Sequence, residues 1–337
     1  MKVIELNTGS GTSKILVGEY IGNISKYVPE NTIVITDKNV NRIYGRKFRK
    51  YPVISIEAGE KSKGFETIYD ICNELLKLKA DRSTFLLGIG GGVVTDITSF
   101  VASIYKRGLR FAYVSTTLLG QVDASIGGKN GINLGDYKNI IGTINQPEFI
   151  ISDIETLKSL PKKEMKNGMA ELIKTAIIAD KRLFYFIEEN YSSILSYDTK
   201  ILEKVVLASA KIKTNIVQKD EKENNLRRIL NFGHTFGHAI ESSTGLSHGK
   251  AISIGMIKAL KISVDMVNLN NDIINRVIAL LKKIKLPVSV KYDRAEIESA
   301  IFADKKKIKD KIKFVLLRDI GIPVIADMSF LELRGYI

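Results

Sequence analysis

The chain of 337 residues contains three histidines, His234, His238 and His248, and all three fall within one stretch of fifteen residues. His234 and His238 stand four apart in GHTFGH at 233–238, so they share one face of a helix. His248 follows after a loop, in SHG at 247–249. Histidine is the commonest metal ligand, and clustering argues against independent capping or surface roles. A catalytic zinc site takes three protein ligands and leaves a fourth position open. A carboxylate can complete the set. Glu171, within AELIK at 170–174, is the candidate, because an unpaired carboxylate in so apolar a helix is costly to bury.

A second constellation is the glycine run over 88–92, followed by Val93, Val94, Thr95 and Asp96. It follows a strand-like segment and opens a helix. Glycines there let the backbone approach a pyrophosphate, and a helix N-terminus offers free N–H groups. The run departs from GxGxxG, since Thr95 takes the last glycine position, and no GK[ST] follows. A tight strand-to-helix turn is the competing explanation. A third set is cationic or amide-bearing. Lys129, Lys138 and Asn139 lie among Gly127, Gly128 and Gly131, and Lys213 precedes Asp220 and Glu221. Arg227 stands four residues before Asn231 and seven before His234, which puts all three on one face if the helix begins early enough. Taken singly, each of these cations also reads as a solvated surface charge.

The elements that must position these groups alternate. Segments 32–36, 53–56, 84–87, 111–114 and 149–151 read as strands, with 96–105 a helix; residues 1–5 read as a further short strand. Ile68, Cys72, Leu75 and Leu76 follow helical spacing, which predicts a buried Cys72. Strands separated by helices imply a parallel, doubly wound α/β layer. Beyond Leu160 helical periodicity dominates from 163 to 285, with Leu202, Val205, Ser209, Ile212 and Ile216 on an inward face. A hairpin-like run comes next, at 313–317. The expected division is therefore 1–160, a parallel-sheet α/β domain, and 161–337, a mainly helical domain.

With 45% hydrophobic and 26% charged residues, the composition is that of a globular protein. No apolar run reaches membrane-span length, and residues 1–5 do not open a signal peptide, so a cytoplasmic protein is expected. One cysteine excludes an intramolecular disulfide. The net charge of +14 suits an anionic substrate or a lysine-rich surface. No nucleic-acid motif accompanies it, so nucleic acid is not an expected partner.

In order, the chain carries GGGVVTD at 90–96, YKRG at 105–108, STTLLGQVDASIGGK at 115–129, KNIIG at 138–142, QP at 146–147 and TLKSLP at 156–161. AELIK at 170–174, DEKE at 220–223, NFGHTFGHAIE at 231–241, DKK at 304–306 and VLLRDIG at 315–321 continue the set over nearly the whole chain. Taken together, these motifs resemble the dehydroquinate synthase family of sugar phosphate cyclases.

The resemblance implies a Rossmann-like NAD-binding domain followed by a helical metal- and substrate-binding domain. It implies Glu171, His234 and His248 as ligands of one divalent ion, zinc or cobalt. It implies NAD contacts from Asp37, Asn39, Glu60, Lys63, Gly91, Gly92, Val93, Val94, Thr95, Asp96, Thr116, Thr117, Lys129, Lys138, Thr156 and Ser159. The implied substrate shell is Asp123, Lys129, Asn139, Lys174, Lys213, Arg227, Asn231 and His238. Arg107 would reach a neighbouring subunit of a homodimer, and Lys305 or Lys306 would cap the substrate. The implied reaction belongs to the shikimate pathway of aromatic amino acid biosynthesis. It converts 3-deoxy-arabino-heptulosonate 7-phosphate to 3-dehydroquinate and phosphate, through transient oxidation by NAD, elimination, reduction, ring opening and aldol closure. Three features depart from the family pattern: Thr95 replaces a glycine, Lys250 replaces the glutamate of HGE, and the loop between Glu241 and His248 is short. The alternatives are a cyclase acting on a substrate without a carboxylate, such as 2-deoxy-scyllo-inosose synthase, and a metal-dependent polyol dehydrogenase.

Overall fold

The computed structural model describes residues 1–135, 137–302 and 311–337, so Lys305 and Lys306 lie outside the described residues. The first nine strands are β1 (Lys2–Thr8), β2 (Gly11–Val17), β3 (Thr32–Asp37), β4 (Val53–Ile56), β5 (Phe85–Gly90), β6 (Arg110–Ser115), β7 (Ile132–Leu134), β8 (Tyr137–Ile141) and β9 (Phe149–Ser152). Seven of them form one sheet in the order β1-β2-β9-β6-β5-β3-β4. All neighbours pair parallel except β1 with β2. The interior strand β5 is buried along its whole length, as a parallel strand covered on both faces must be. Three helices follow strands: α1 (Lys38–Phe48), α2 (Phe65–Lys77) and α3 (Gly92–Ile104). Asp37 ends β3 and caps α1, accepting the amides of Asn39 and Val40 at 2.9 Å. Val34, Leu87, Ile89, Ala112, Val114 and Ile151 sit in one core under the sheet, with Phe85 and Phe149 stacked at 6.2 Å. β7 and β8 form a separate hairpin.

Helices dominate the second half of the chain: α4 (Lys162–Ala179), α5 (Lys181–Leu195), α6 (Thr199–Lys219), α7 (His234–Thr244), α8 (His248–Val267), α9 (Asn271–Ile284) and α10 (Arg294–Phe302). The antiparallel hairpin β10 (Lys311–Asp319) and β11 (Ile322–Ser329) and the short α11 (Phe330–Arg334) end the chain. A parallel-rich sheet followed by a helical region matches the expected fold class.

Two units form. One comprises Met1–Pro161 and Leu202–Lys222; the other comprises Lys162–Ile201 and Glu223–Ile337. The chain thus returns to the sheet unit after 161, where the sequence pattern suggested a single cut. Polar contacts hold α6 there. Ser209 donates to the carbonyl of Val122 at 3.1 Å, and Lys213 donates to the carbonyl of Asp123 at 2.6 Å. Past the helix, Glu221 accepts the amide of Ser10 at 3.2 Å and the side-chain amide of Gln146 at 3.0 Å.

Other local expectations shift. On α2 the buried face is Ile68, Ile71 and Leu75; Cys72 is half-buried and Leu76 is 59% exposed. Ile212 is half-buried rather than inward. The strand β2 and the β7–β8 hairpin have no counterpart in the sequence pattern.

Candidate functional site

In the helical unit, Glu171 on α4 is fully buried, and Lys174, one turn on, is 1% exposed. Lys174 Nζ stands 2.5 Å from Glu171 Oε2, an ion-pair contact without hydrogen-bond angles. The other oxygen, Oε1, faces two imidazoles. His248 Nε2 is 3.2 Å away and His234 Nε2 is 3.7 Å away. The ligand atoms of Glu171, His234 and His248 all lie within 4.8 Å of one another, so this trio could hold a metal ion. Both rings have their other nitrogen next to an oxygen. His234 Nδ1 is 3.2 Å from the carbonyl of Phe232, and His248 Nδ1 is 3.1 Å from Glu241 Oε2.

Glycines bring the rings together. Gly233, with φ +77°, opens α7 in the left-handed region, and a Cβ there would lie 2.7 Å from the amide of Met256 on α8. A Cβ on Gly255 would lie 2.1 Å from the carbonyl of Gly233. The first turn of α8 is tied to α4 by Ser247, whose hydroxyl donates to Asn167 Oδ1 at 2.9 Å. The result is three ring centroids 5.0, 5.8 and 6.1 Å apart.

The electrostatics follow from burial and neighbours. Burial opposes ionisation of Glu171, but Lys174 and the two histidines outweigh it and hold its carboxyl well below the usual range. Burial, helped by the charge of Lys174, pushes His234 down to about 3, which leaves its ring neutral and able to ligate. His248 resists burial through its hydrogen bonds to Glu171 and Glu241 and is pushed up to about 10. A metal there must displace that proton.

In the sheet unit the residues expected to bind cofactor gather along one edge. Asp37 and Asn39 follow β3, Glu60 and Lys63 follow β4, the glycine run follows β5, Thr116 and Thr117 follow β6, and Thr156 and Ser159 follow β9. They lie at or just beyond the carboxyl ends of parallel strands, where ligands of open α/β sheets bind. Gly91 is the N-cap of α3 and provides no side-chain cap, so the leading amides of Gly92, Val93 and Val94 can face an anion. The glycines also serve packing. A Cβ on Gly90 would sit 2.5 Å from Val94 Cγ2, and one on Gly91 would sit 2.7 Å from Thr117 Cγ2. The packing explanation of the run therefore holds, and the uncapped amides are compatible with the other. Thr95 is helical, its amide donating to Gly91 O at 3.1 Å and its hydroxyl to Gly92 O at 3.0 Å, so no glycine is needed there.

Lys63 is 4% exposed, donates to Asp96 Oδ2 at 2.6 Å and also bonds Asn139 Oδ1. Burial pushes Asp96 up to about 6 against the pull of Lys63. Asn139, with φ +54°, donates its amide to Asn133 Oδ1 at 2.9 Å, and Asn133 reaches Glu60 at 2.9 Å. Tyr44 meets the Ser159 hydroxyl at 2.8 Å and donates to the carbonyl of Thr156 at 3.2 Å. Lys213 Nζ is 2.6 Å from Asp123 Oδ1. Lys129 and Lys138 are exposed on the segment around the hairpin. Arg107 is exposed on a turn where Lys106, Arg107 and Gly108 have φ of +50°, +68° and +128°.

One geometric expectation fails. Arg227 and Asn231 do not share a helix face with His234. They lie on a 3-10 turn, Leu226–Asn231, and Phe232 and left-handed Gly233 break the chain before α7 begins. Arg227 is nonetheless buried, at 3% exposure, while Asn231 is exposed and bonds Glu223. His238 is exposed on α7, beside the other two rings. The sequence pattern also passes over Glu241 and Asn167. A signal existed for Glu241, which stands three residues after His238 and so shares its side of the helix.

Comparison with known proteins bears on what the arrangement does. The family model described as 3-dehydroquinate synthase N-terminal matches residues 53–167, and that described as 3-dehydroquinate synthase C-terminal matches residues 168–307. The chain is similar to a 3-dehydroquinate synthase of Ruminiclostridium cellulolyticum, 40% identical over 300 residues that cover 86% of this chain and 84% of that protein. Among solved structures it resembles 2-deoxy-scyllo-inosose synthase complexed with carbaglucose-6-phosphate, NAD+ and Co2+, with TM-score 0.88 and 25% identity over 99% of this chain and 98% of the other. It also resembles 2-epi-5-epi-valiolone synthase of Streptomyces hygroscopicus with NAD+ and Zn2+ bound, with TM-score 0.89 and 25% identity over 100% of this chain and 98% of the other.

Proposed function

The chain belongs to the 3-dehydroquinate synthase family, and on that premise we propose that it converts 3-deoxy-arabino-heptulosonate 7-phosphate to 3-dehydroquinate with release of phosphate. The observation that carries the reading is the meeting of His234 and His248 on one oxygen of a buried Glu171. That donor set fits a single divalent ion, zinc or cobalt, whose remaining coordination position would be left to a substrate oxygen. The uncapped first turn of α3 fits the pyrophosphate of NAD. When bound, NAD supplies a transient hydride acceptor and the metal a Lewis acid.

The protein's own groups bind and orient. Glu60, Lys63 and Asp96 hold the Asn139 hairpin beside the cofactor edge, with Asp37, Asn39, Thr116, Thr117, Thr156 and Ser159 along it. Lys129, Asn139, His238 and Arg107 bind the substrate's phosphate. Lys213, steadied by Asp123, and the buried Arg227 bind its carboxylate, a charge-assisted recognition that fixes the substrate's direction. Lys174 holds the charge of Glu171, and Asn231 bonds substrate hydroxyls. In this reading the enzyme is a cytoplasmic homodimer, and the strained turn presents Arg107 to the second copy.

The test is incubation with the heptulosonate phosphate, NAD in trace amounts and zinc or cobalt. Phosphate release without accumulation of NADH is expected. NADH growing in step with product would turn the reading toward a polyol dehydrogenase. Turnover of a hexose phosphate lacking the carboxylate, in preference to the acid, would turn it toward the other cyclases.

A further inference from the structure

We propose that Glu241 is a positioning residue that fixes the tautomer and rotation of His248, so that Nε2 alone faces the metal seat. The inference rests on the reading of Glu171, His234 and His248 as metal ligands.

Neutral imidazole carries one N–H and one lone pair, so the partner of one nitrogen decides the role of the other. An ionised carboxylate is an acceptor only. Glu241 Oε2 stands 3.1 Å from His248 Nδ1, so when a metal displaces the proton that Nε2 shares with Glu171 Oε1, 3.2 Å away, the remaining proton stays on Nδ1 and the lone pair of Nε2 faces the metal. His234 repeats the arrangement with different chemistry: its Nδ1 lies 3.2 Å from the Phe232 carbonyl, and its Nε2 faces the same Glu171 oxygen.

The two rings differ in what else restrains them. The side chain of His234 is 14% exposed and that of His248 is 30% exposed. His248 is also the first residue of α8, directly after the N-cap Ser247. Packing leaves it freer to rotate, so its hydrogen bond carries more of the orientation. The side chain of Glu241 is itself only 10% exposed, which shields the contact from water.

Glu241, His238 and His248 also lie within ligand distance of one another, which would make Glu241 a metal ligand in its own right. That set needs the lone pair of His248 on Nδ1. A neutral ring cannot offer it there while also ligating through Nε2, so the positioning role is favoured.

The experiment uses the full chain and its Glu241→Ala and Glu241→Gln variants. Zinc affinity is measured by chelator competition, cobalt binding by visible absorption, and the melting temperature of each metal-free protein is recorded. Glu241→Ala should weaken zinc by roughly 10–100-fold, the usual cost of losing an outer partner of a ligating histidine. Glu241→Gln should lose less, because its amide oxygen still accepts from Nδ1. The metal-free melting temperatures should agree, activity should recover at high metal, and every protein should bind one ion. Wild-type affinity in both variants overturns the proposal. So does a wild type with two ions from which Glu241→Ala removes one, since Glu241 would then be a ligand. A wild type that binds no ion would instead remove the metal reading beneath it. If Glu241→Ala does not fold, the Gln variant alone decides between these outcomes.

Discussion

The proposed metal pocket and the proposed cofactor edge approach the problem of binding charge in opposite ways. The pocket uses side chains. Glu171, Lys174, His234 and His248 come from three helices, and two of them are almost wholly buried. Buried charges must be matched by opposite charges or hydrogen bonds, so every group in the pocket leans on another. The cofactor edge uses main chain. Its components follow five strands, from Asp37 to Ser159, and its central part is a helix end and a set of glycines. The pocket therefore depends on particular functional groups, and the edge depends on the space between atoms.

The largest expected effect falls on the pocket. Glu171→Ala removes both the shared ligand and the carboxylate facing Lys174. Zinc binding should be lost, and the metal-free protein should be less stable by about 3–5 kcal/mol, the cost of breaking a buried ion pair. Chelator competition and denaturant unfolding check the two parts. Unchanged metal affinity would show that Oε1 is not a ligand.

Second is Arg227→Lys. It should reduce kcat/KM by about 1.5–3 kcal/mol, the worth of hydrogen bonds to a charged group, with NAD affinity unchanged. Equal efficiency would remove the carboxylate role. On the cofactor edge, Gly91→Ala should cost about 1–3 kcal/mol of stability, because its Cβ meets Thr117 at 2.7 Å. It should also raise the dissociation constant for NAD while leaving zinc affinity alone. Titration calorimetry with each ligand would show whether the two regions are independent.

The smallest effect concerns Glu221, which follows α6 and bonds Ser10 and Gln146. Burial opposes its ionisation, but hydrogen bonds from Ser10, Gln146 and Thr8 prevail and lower it to about 2. Its ordinary value is 4.5. The folded state therefore gains from the ionised form above pH 4.5 and loses that gain as pH falls toward 2. Because Glu221 is half-open to water, the gain should be below about 1 kcal/mol. Glu221→Gln should melt lower than wild type at pH 7 and alike near pH 2. A constant difference across that range would remove the electrostatic explanation.

The contrast also explains what could be read from the sequence. Three histidines in fifteen residues point to a cluster, and the structure does bring the three rings together, since residue type is itself the signal. The alternation of strands and helices announces the sheet because β-branched runs such as 32–36 are visible locally. The separation of Arg227 from the helix face of His234 was not legible, because Phe232 and Gly233 turn the chain through a left-handed residue that spacing rules cannot represent. The partner of His248 was not legible either. Glu241 lies in another helix, and only the packing of α7 on α8 brings them to 3.1 Å. Asp37, Asn39, Thr156 and Ser159 carried no signal of their own beyond the family resemblance; the order of the strands lines them up.

The return of α6 to the sheet unit has a consequence for synthesis. A ribosome emits the chain from its N-terminus, and the last strand of the large sheet, β9, ends at Ser152. Lys213, which meets Asp123, and Glu221, which meets Ser10, emerge only after α4 and α5 have been made. The nascent sheet must therefore wait some sixty residues for its final helix, a long-range closure of the kind that slows folding. Any attempt to express the first unit alone by stopping at Pro161 would end before that helix is translated.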